Sequence, residues 1–389
     1  MQTAEMQWLP IARDAEVSTR PLAVVADGVP LVVYRPEPDA DPVVFADRCP
    51  HRLVPLSAAV VEDGRLRCAY HGWEFDASGA CVTVPSQGPI PPRASLPPGP
   101  PIKIFDGTIH VLAAGLPAPD PTELLTNEDP ALRHGWHPVG LATERLDEVQ
   151  LLGETFRLAE SRTQERWGMI WLAPDEPKVG LFTDPDADDR DYAGAWLPPA
   201  RTPASAGLVA DNFLDVAHFP FVHAKTFGAA EEKTVPRYEV TTEPYGCRSV
   251  QEQWFDNPED PGVLAGIRPV RQRRRATYVY RAPFQLLLRL EELDAGAVKT
   301  ILFFAQPESA TSTRIYTKML FHGIGGVPDP SAEVIAGEVA FEEAVLAEDL
   351  ELQQRLRITG LPLRMRDELH VRADLLGVHL RRILAGFAS

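Results

Sequence analysis

Two short stretches offer metal ligands in a mixed pattern. Cys49-Pro50-His51-Arg52 presents a thiol and an imidazole two positions apart, and Cys68-Ala69-Tyr70-His71-Gly72-Trp73 presents the same pair three apart, with sixteen residues between His51 and Cys68. Zinc sites usually group two cysteines and then two histidines. Here each half carries one of each. That mixture suits an asymmetric dinuclear iron–sulfur centre, with two thiolates on one iron and two imidazoles on the other. Neutral imidazoles in place of thiolates remove negative charge and raise the reduction potential. Gly72 allows a tight loop whose amides approach a bridging sulfur, and the neighbouring aromatics can cover the centre. Zinc, or a chance set of core residues, is the competing reading.

A second dense set of ligands runs Asp211-Asn212-Phe213-Leu214-Asp215-Val216-Ala217-His218-Phe219-Pro220-Phe221-Val222-His223. Asp215 and His218, three apart, would share a helix face. His218 and His223 are five apart and do not stack on a straight helix. Pro220 disfavours helix at Phe219 and kinks or ends it there, so that His223 can swing back. Phe219, Phe221 and Phe227 would supply a dry wall. Two imidazoles and one carboxylate make the facial triad of non-haem iron(II) oxygenases, with positions left open for O₂. The carboxylate must come from elsewhere. In the helical pattern over 331–357, Asp349 falls in the apolar stripe of Val345, Leu352 and Leu356, with Glu348 at its edge and Glu351 well off it. A carboxylate there needs a partner, either a metal or a buried arginine. Glu342 borders the same stripe and is the fallback.

Taken together, these motifs resemble the oxygenase component of Rieske non-haem iron oxygenases, and the resemblance covers nearly the whole chain. Cys49, His51, Cys68 and His71 look like its cluster ligands, in loops that end Gly72-Trp73-Glu74-Phe75-Asp76. The Asp-x-x-His-x-x-x-x-His pattern looks like its iron motif. The resemblance implies that His218 and His223 bind iron and that Asp215 is a bridging carboxylate toward the cluster of a neighbouring subunit. It also implies that Asn212 lies near the iron, and it favours Asp349, in a Glu-Asp context, as the late ligand. It further implies a head-to-tail homotrimer fed by a ferredoxin or an NAD(P)H-dependent reductase. The reaction would use O₂ to hydroxylate, dihydroxylate or oxidatively demethylate a small aromatic or alicyclic substrate, with the single-chain layout closer to the demethylase and phthalate-type enzymes. The alternative is a Rieske electron carrier fused to a ligand-binding domain that never activates O₂.

The elements that must hold these residues follow from apolar patterning. Residues 22–25, 31–34 and 43–45 read as strands, and 102–104 with 109–113 as a hairpin through Asp106-Gly107. Residues 1–116 are therefore expected to form an all-β cluster domain. Residues 117–180 read as a linker followed by a β echo without cysteine: Trp136-His137-Pro138 parallels Trp8-Leu9-Pro10, and Trp167-Gly168 precedes a closing strand. We read it as a degenerate, cluster-free copy of the first unit. Residues 181–389 alternate strand patterns (278–280, 286–290, 300–304, 313–320) with helical ones (208–218, 331–357, 369–385). The fold class is thus α+β, a β domain followed by an antiparallel sheet backed by helices in a helix-grip catalytic domain. Phe284, Leu286, Phe303 and Phe304 are candidate pocket residues whose facing alternation alone does not settle.

Composition narrows the partners. A formal charge of −17 argues against nucleic acid. Four cysteines, two of them assigned to metal, give no disulfide scaffold. No apolar run reaches a membrane span, and residues 1–6 show no basic region before an apolar run, so no leader is expected and a cytoplasmic location is. The run Arg271-Gln272-Arg273-Arg274-Arg275 reads as a solvated strand edge, or less readily as a docking site for an acidic ferredoxin. His134, His137, His322, His370 and His379 carry no motif, and Cys81 reads as a small core residue.

Overall fold

The computed structural model of the chain describes residues 7–118, 121, 123–189, 191–227, 232–258, 260–327 and 330–389. The leader reading of residues 1–6 and part of the expected linker lie outside them. No helix among the described residues is long and apolar enough to cross a membrane.

The N-terminal part is all β. Strands Leu22–Ala26, Val29–Tyr34 and Val43–Ala46 pair in that order, and Trp8–Arg13 pairs with Thr108–Leu112, which pairs in turn with Ile102–Phe105. Alternation along these strands puts Leu31, Val33, Val44, Ile109 and Val111 into a shared core. A further sheet of four short strands, from Val60–Glu62 to Cys81–Thr83, holds the second ligand loop between Arg65–Arg67 and Glu74–Phe75.

Residues 137–173 repeat part of this plan. His137–Leu141 pairs with Met169–Ala173, which pairs with Arg162–Arg166, and Glu148–Leu151 forms a hairpin with Glu154–Arg157. Both first strands shift register after a proline, between Pro10 and Ala12 and between Pro138 and Gly140. A single 3-10 turn, Leu158–Glu160, stands where the first copy inserts its ligand-bearing sheet. The repeat serves instead as a packing layer: Met169 and Trp171 join Leu287, Leu302 and Phe304 on one face of the large sheet.

That large sheet is antiparallel and eight-stranded, running in space from Ala193–Trp196 through Ser312–His322, Ala297–Ser309, Gln285–Glu292, Arg271–Arg281 and Gly246–Asp256 to Val240–Glu243, with Ala200–Thr202 also on Ser312–His322. Its other face carries the longer helices and one short turn: α1 (Ala206–Leu214), the single turn α2 (Phe219–Val222), α3 (Ala332–Gln353) and α4 (Leu375–Ala388). Ser205 caps α1 and Ser331 caps α3 through side-chain acceptors, which is why both helices begin where they do.

Three sequence-based expectations change here. Phe304 packs on the repeat with Trp171, so of the candidate pocket residues only Phe284, Leu286 and Phe303 lie on the helix side. The arginine run is an edge only at its start: Gly246–Asp256 pairs with it throughout, whereas Gln285–Glu292 pairs with it only from Arg274 onward. Arg271 and Arg273 meet Glu232 and Asp294 in neighbouring loops, and Arg275 meets Glu252 across the strand pair. Finally, α1 stops at Leu214, and Pro220 sits in the first turn of α2, where a missing N–H costs nothing. The chain therefore breaks between Asp215 and His218 and not at Phe219.

The cluster-loop end of the β domain meets α1 and α4 across buried charge. Arg381, fully buried, donates to Asp211 at 2.6 and 2.8 Å and to Glu368 at 2.7 Å. Arg52, next to His51, lies 3.6 Å from Asp211 and 3.3 Å from Asp374. Removing one member of such a set strands the others in low dielectric. We expect Arg381→Met to cost about 3–5 kcal/mol, read as a lowered midpoint in chemical unfolding of the cluster-loaded protein. A loss under about 1 kcal/mol would mean that water reaches these carboxylates.

Candidate metal centres

The first centre is built by two turns that face one another. Cys49 N–H donates to Val54 O and Leu53 N–H to Cys49 O; Cys68 N–H donates to Trp73 O and Gly72 N–H to Cys68 O. These bonds leave both sulfurs inside the loops, and both cysteines are buried and free of disulfide. Gly72 is required twice over. Its φ is +65°, and a Cβ there would stand 2.1 Å from the Phe221 ring. His51 and His71 have ring centroids 4.3 Å apart, and Trp73 stacks on His51 at 4.6 Å.

Each imidazole turns one nitrogen outward to a carboxylate. His51 Nε2 lies 3.0 and 2.9 Å from the two oxygens of Asp374, and His71 Nε2 lies 2.7 Å from Asp215 Oδ2. Burial pushes His51 down to about 4, so it is neutral. Its Nδ1 is buried with no protein partner. A neutral ring anchored through Nε2, with Nδ1 free, is what a metal-bound histidine with a carboxylate behind it requires. Burial pushes the Cys49 thiol up, whereas the hydrogen bond from Cys49 pulls Cys68 down. The donor set therefore fits an iron–sulfur cluster, which would take both sulfurs as thiolates.

The second centre gathers His218, His223 and Asp349, each offering one ligand atom, all within 4.8 Å of one another. Asp349 Oδ1 lies 3.4 Å from Nε2 of each histidine, and the two Nε2 atoms are 3.1 Å apart. The break after α1 and the short α2 bring the two histidines together, and α3 brings the carboxylate. Although burial works against it, Asp215 and Asp349 raise His218 to about 9. This field favours a cation, and a divalent iron fits the donor set. Glu342 stands two turns before Asp349 on α3 and is not among the converging groups; burial pushes it up to about 7.

Asp215 touches both centres. Its Oδ2 meets His71, its Oδ1 accepts from Ala217 N–H at 2.8 Å, and the same Oδ1 is 3.8 Å from His218 Nδ1. The last distance is electrostatic contact and not a hydrogen bond. Burial opposes its ionisation, but His71 and His218 hold its carboxyl well below the usual range. The resemblance placed this contact between neighbouring subunits; here it closes within one chain, because the cluster loops pack directly onto α1 and α2.

Several partners of these groups were not visible in the sequence. Glu348 Oε2 lies 3.0 Å from His223 Nδ1 and accepts from Thr226 Oγ1 at 2.8 Å. Glu348 was placed at the stripe's edge, and its position next to Asp349 was the available signal. Asp374, about 320 positions from His51, carried no such signal. Arg52 reaches His370 Nδ1 at 3.1 Å, so His370 belongs to the shell of the first centre. His137 is buried and bonds Leu132 O at 2.7 Å, a structural role, and Cys81 stays in the core of the β domain.

Family models match the chain over both regions that hold these groups. Residues 7–98 match the Rieske [2Fe-2S] domain, and residues 202–389 match the vanillate O-demethylase oxygenase C-terminal domain. The chain is 26% identical over 301 residues to a putative toluene-4-sulfonate monooxygenase system iron-sulfur subunit of Comamonas testosteroni, covering 75% of this chain and 66% of that one. It is 24% identical to the methylxanthine N1-demethylase NdmA of Pseudomonas putida, covering 97% of this chain and 87% of that protein. The solved structure of NdmA with caffeine, from Pseudomonas putida CBB5, aligns over 96% of this chain and 88% of that one at 22% identity, with a TM-score of 0.45. The chain belongs to the Rieske non-haem iron oxygenases, oxidoreductases whose cofactors are a [2Fe–2S] cluster and a mononuclear iron.

Proposed function

We propose that this chain is the oxygenase component of a system that hydroxylates or oxidatively demethylates a small aromatic or alicyclic substrate, fed by a ferredoxin or an NAD(P)H-dependent reductase. We assign Cys49, His51, Cys68 and His71 to the cluster and His218, His223 and Asp349 to the iron. The observation that carries the reading is Asp215, one buried carboxylate in contact with an imidazole of each set. A pure electron carrier has no use for the second set. Demethylation is favoured over ring dihydroxylation by the match to the vanillate O-demethylase domain and by the demethylases among the relatives.

When bound, the cluster supplies single electrons and the iron supplies the site of dioxygen activation. The chain's own residues do the rest. Asp374 and Asp215 each accept the Nε2 hydrogen of one cluster imidazole and fix its ring. Glu348 holds His223 in the same way from the iron side. Phe213 stacks on Phe303 at 4.6 Å, and Leu288, Ile301 and Leu346 continue an apolar wall between sheet and helices. For a methyl ether the balance is one O₂, two electrons and two protons consumed; the ether becomes a hydroxyl, the methyl carbon leaves as formaldehyde and the second oxygen as water.

His218→Ala should lower iron from about three to about two per chain while the cluster's visible spectrum stays unchanged. Loss of the cluster with it would sink the two-site assignment. Asp215→Asn should keep both metals yet lose more than about a hundredfold in coupled turnover, since the anion shared by both centres is gone; near-normal turnover would remove Asp215 from that role. A mixture of Cys68→Ser and His218→Ala chains should stay inactive, because the Asp215 contact lies within one chain. Recovered turnover would instead mean that cluster domains are exchanged around a homotrimeric ring.

A further inference from the structure

A second connection joins the two centres, and it does not include Asp215. Asn212, on α1 and buried, has one amide nitrogen and two hydrogens to give. Its Nδ2 lies 3.2 Å from Tyr70 Oη and 3.2 Å from Asp349 Oδ1. Its Oδ1 accepts from Gln353 Nε2 at 2.9 Å, one turn beyond Asp349 on α3. Turning the amide over would set its oxygen against the Asp349 carboxylate and its nitrogen against the Gln353 amide, so the network fixes its orientation. Burial keeps the Tyr70 phenol protonated, with its pKa well above the usual value. Tyr70 also reaches the other way. Its ring lies 4.0 Å from that of His71, the imidazole assigned to the cluster.

We propose that Asn212 is a positioning residue that couples the state of the cluster to the iron through Tyr70 and Asp349. One side of Tyr70 packs on the His71 imidazole, which we assign to the cluster. The other side shares the Asn212 amide with the oxygen that faces both iron-site imidazoles. A shift of the Tyr70 loop therefore moves the hydrogen bond that holds Asp349 Oδ1. Low dielectric makes each link stronger than it would be in water. This inference rests on the metal assignment above and adds a route to it.

Coupling of this kind is reciprocal: if reduction of the cluster changes metal affinity at the second site, metal there changes the cluster potential by the same free energy. The test is the cluster midpoint potential of the full chain with and without zinc(II), redox-silent, in the second site. In the wild type we expect a shift on metal loading; a tenfold coupling corresponds to about 59 mV for one electron. Tyr70→Phe removes one oxygen and no ligand, and Asn212→Leu removes the amide. Each should cut the shift by half or more while the cluster spectrum and zinc content stay as in wild type. An unaltered shift in Tyr70→Phe overturns the proposal, as does a wild type that takes up both metals and shows no shift. If Asn212→Leu fails to hold zinc, Tyr70→Phe alone decides. Failure of the two-site reading itself would look different, because wild-type chain would then lack the cluster or the second metal.

Discussion

Asp215 is an anion with almost no access to water, placed at the carboxyl end of a helix, where the helix field is itself negative. Two imidazoles and one backbone N–H keep it ionised. Much of the surrounding architecture follows from this need. The chain must break after α1 so that His218 turns back toward it, and the second cluster loop must lie close enough for His71 to donate. That approach is possible only because residue 72 has no side chain where Phe221 stands. The buried charges beside it serve the same end, since Arg52 and Arg381 offset Asp211, Glu368 and Asp374 where loop and helices meet. An apolar contact of equal area would be as stable, but it would not fix the azimuth of the loop against α1.

What could be read from the sequence was what short-range spacing encodes. The cysteines and histidines of the first centre sit within a few positions of one another within each loop, and their mixed order favoured an iron–sulfur centre over zinc. Strand and helix positions followed from alternation and from the stripe on α3, and the stripe also singled out Asp349 over Glu351. The break at Asp215 was misplaced because Pro220 reads equally well as the end of one helix and the start of another. The solvated-edge reading of the arginine run holds only for its first residues, because strand pairing depends on register, and residues 232, 252 and 294 carry no local sign that they will lie beside it. Asp374 and Gln353 were invisible for the same reason: their partners are set by how α3 and α4 pack, a long-range outcome.

The β repeat over 137–173 shows how one strand plan can serve two ends. In the first copy the connection between hairpin and closing pair opens into a ligand-bearing sheet. In the second it shrinks to the turn at Leu158–Glu160, and the closing strand supplies Met169 and Trp171 to the back of the large sheet. The closing strand, not the loops, is the element both copies preserve, because it is the one that packs.

The contact between Gly72 and Phe221 bears on how modular the chain is. Cluster domain and iron domain are separate in sequence, and their ligands would seem open to independent replacement. Yet the aromatic ring of one occupies the volume a side chain of the other would need. Chimeras that graft a foreign cluster domain onto this iron domain must therefore match it at the seam: a glycine opposite Phe221, an arginine to meet Asp211, and an imidazole at the height of Asp215. The two halves are interchangeable only as a set.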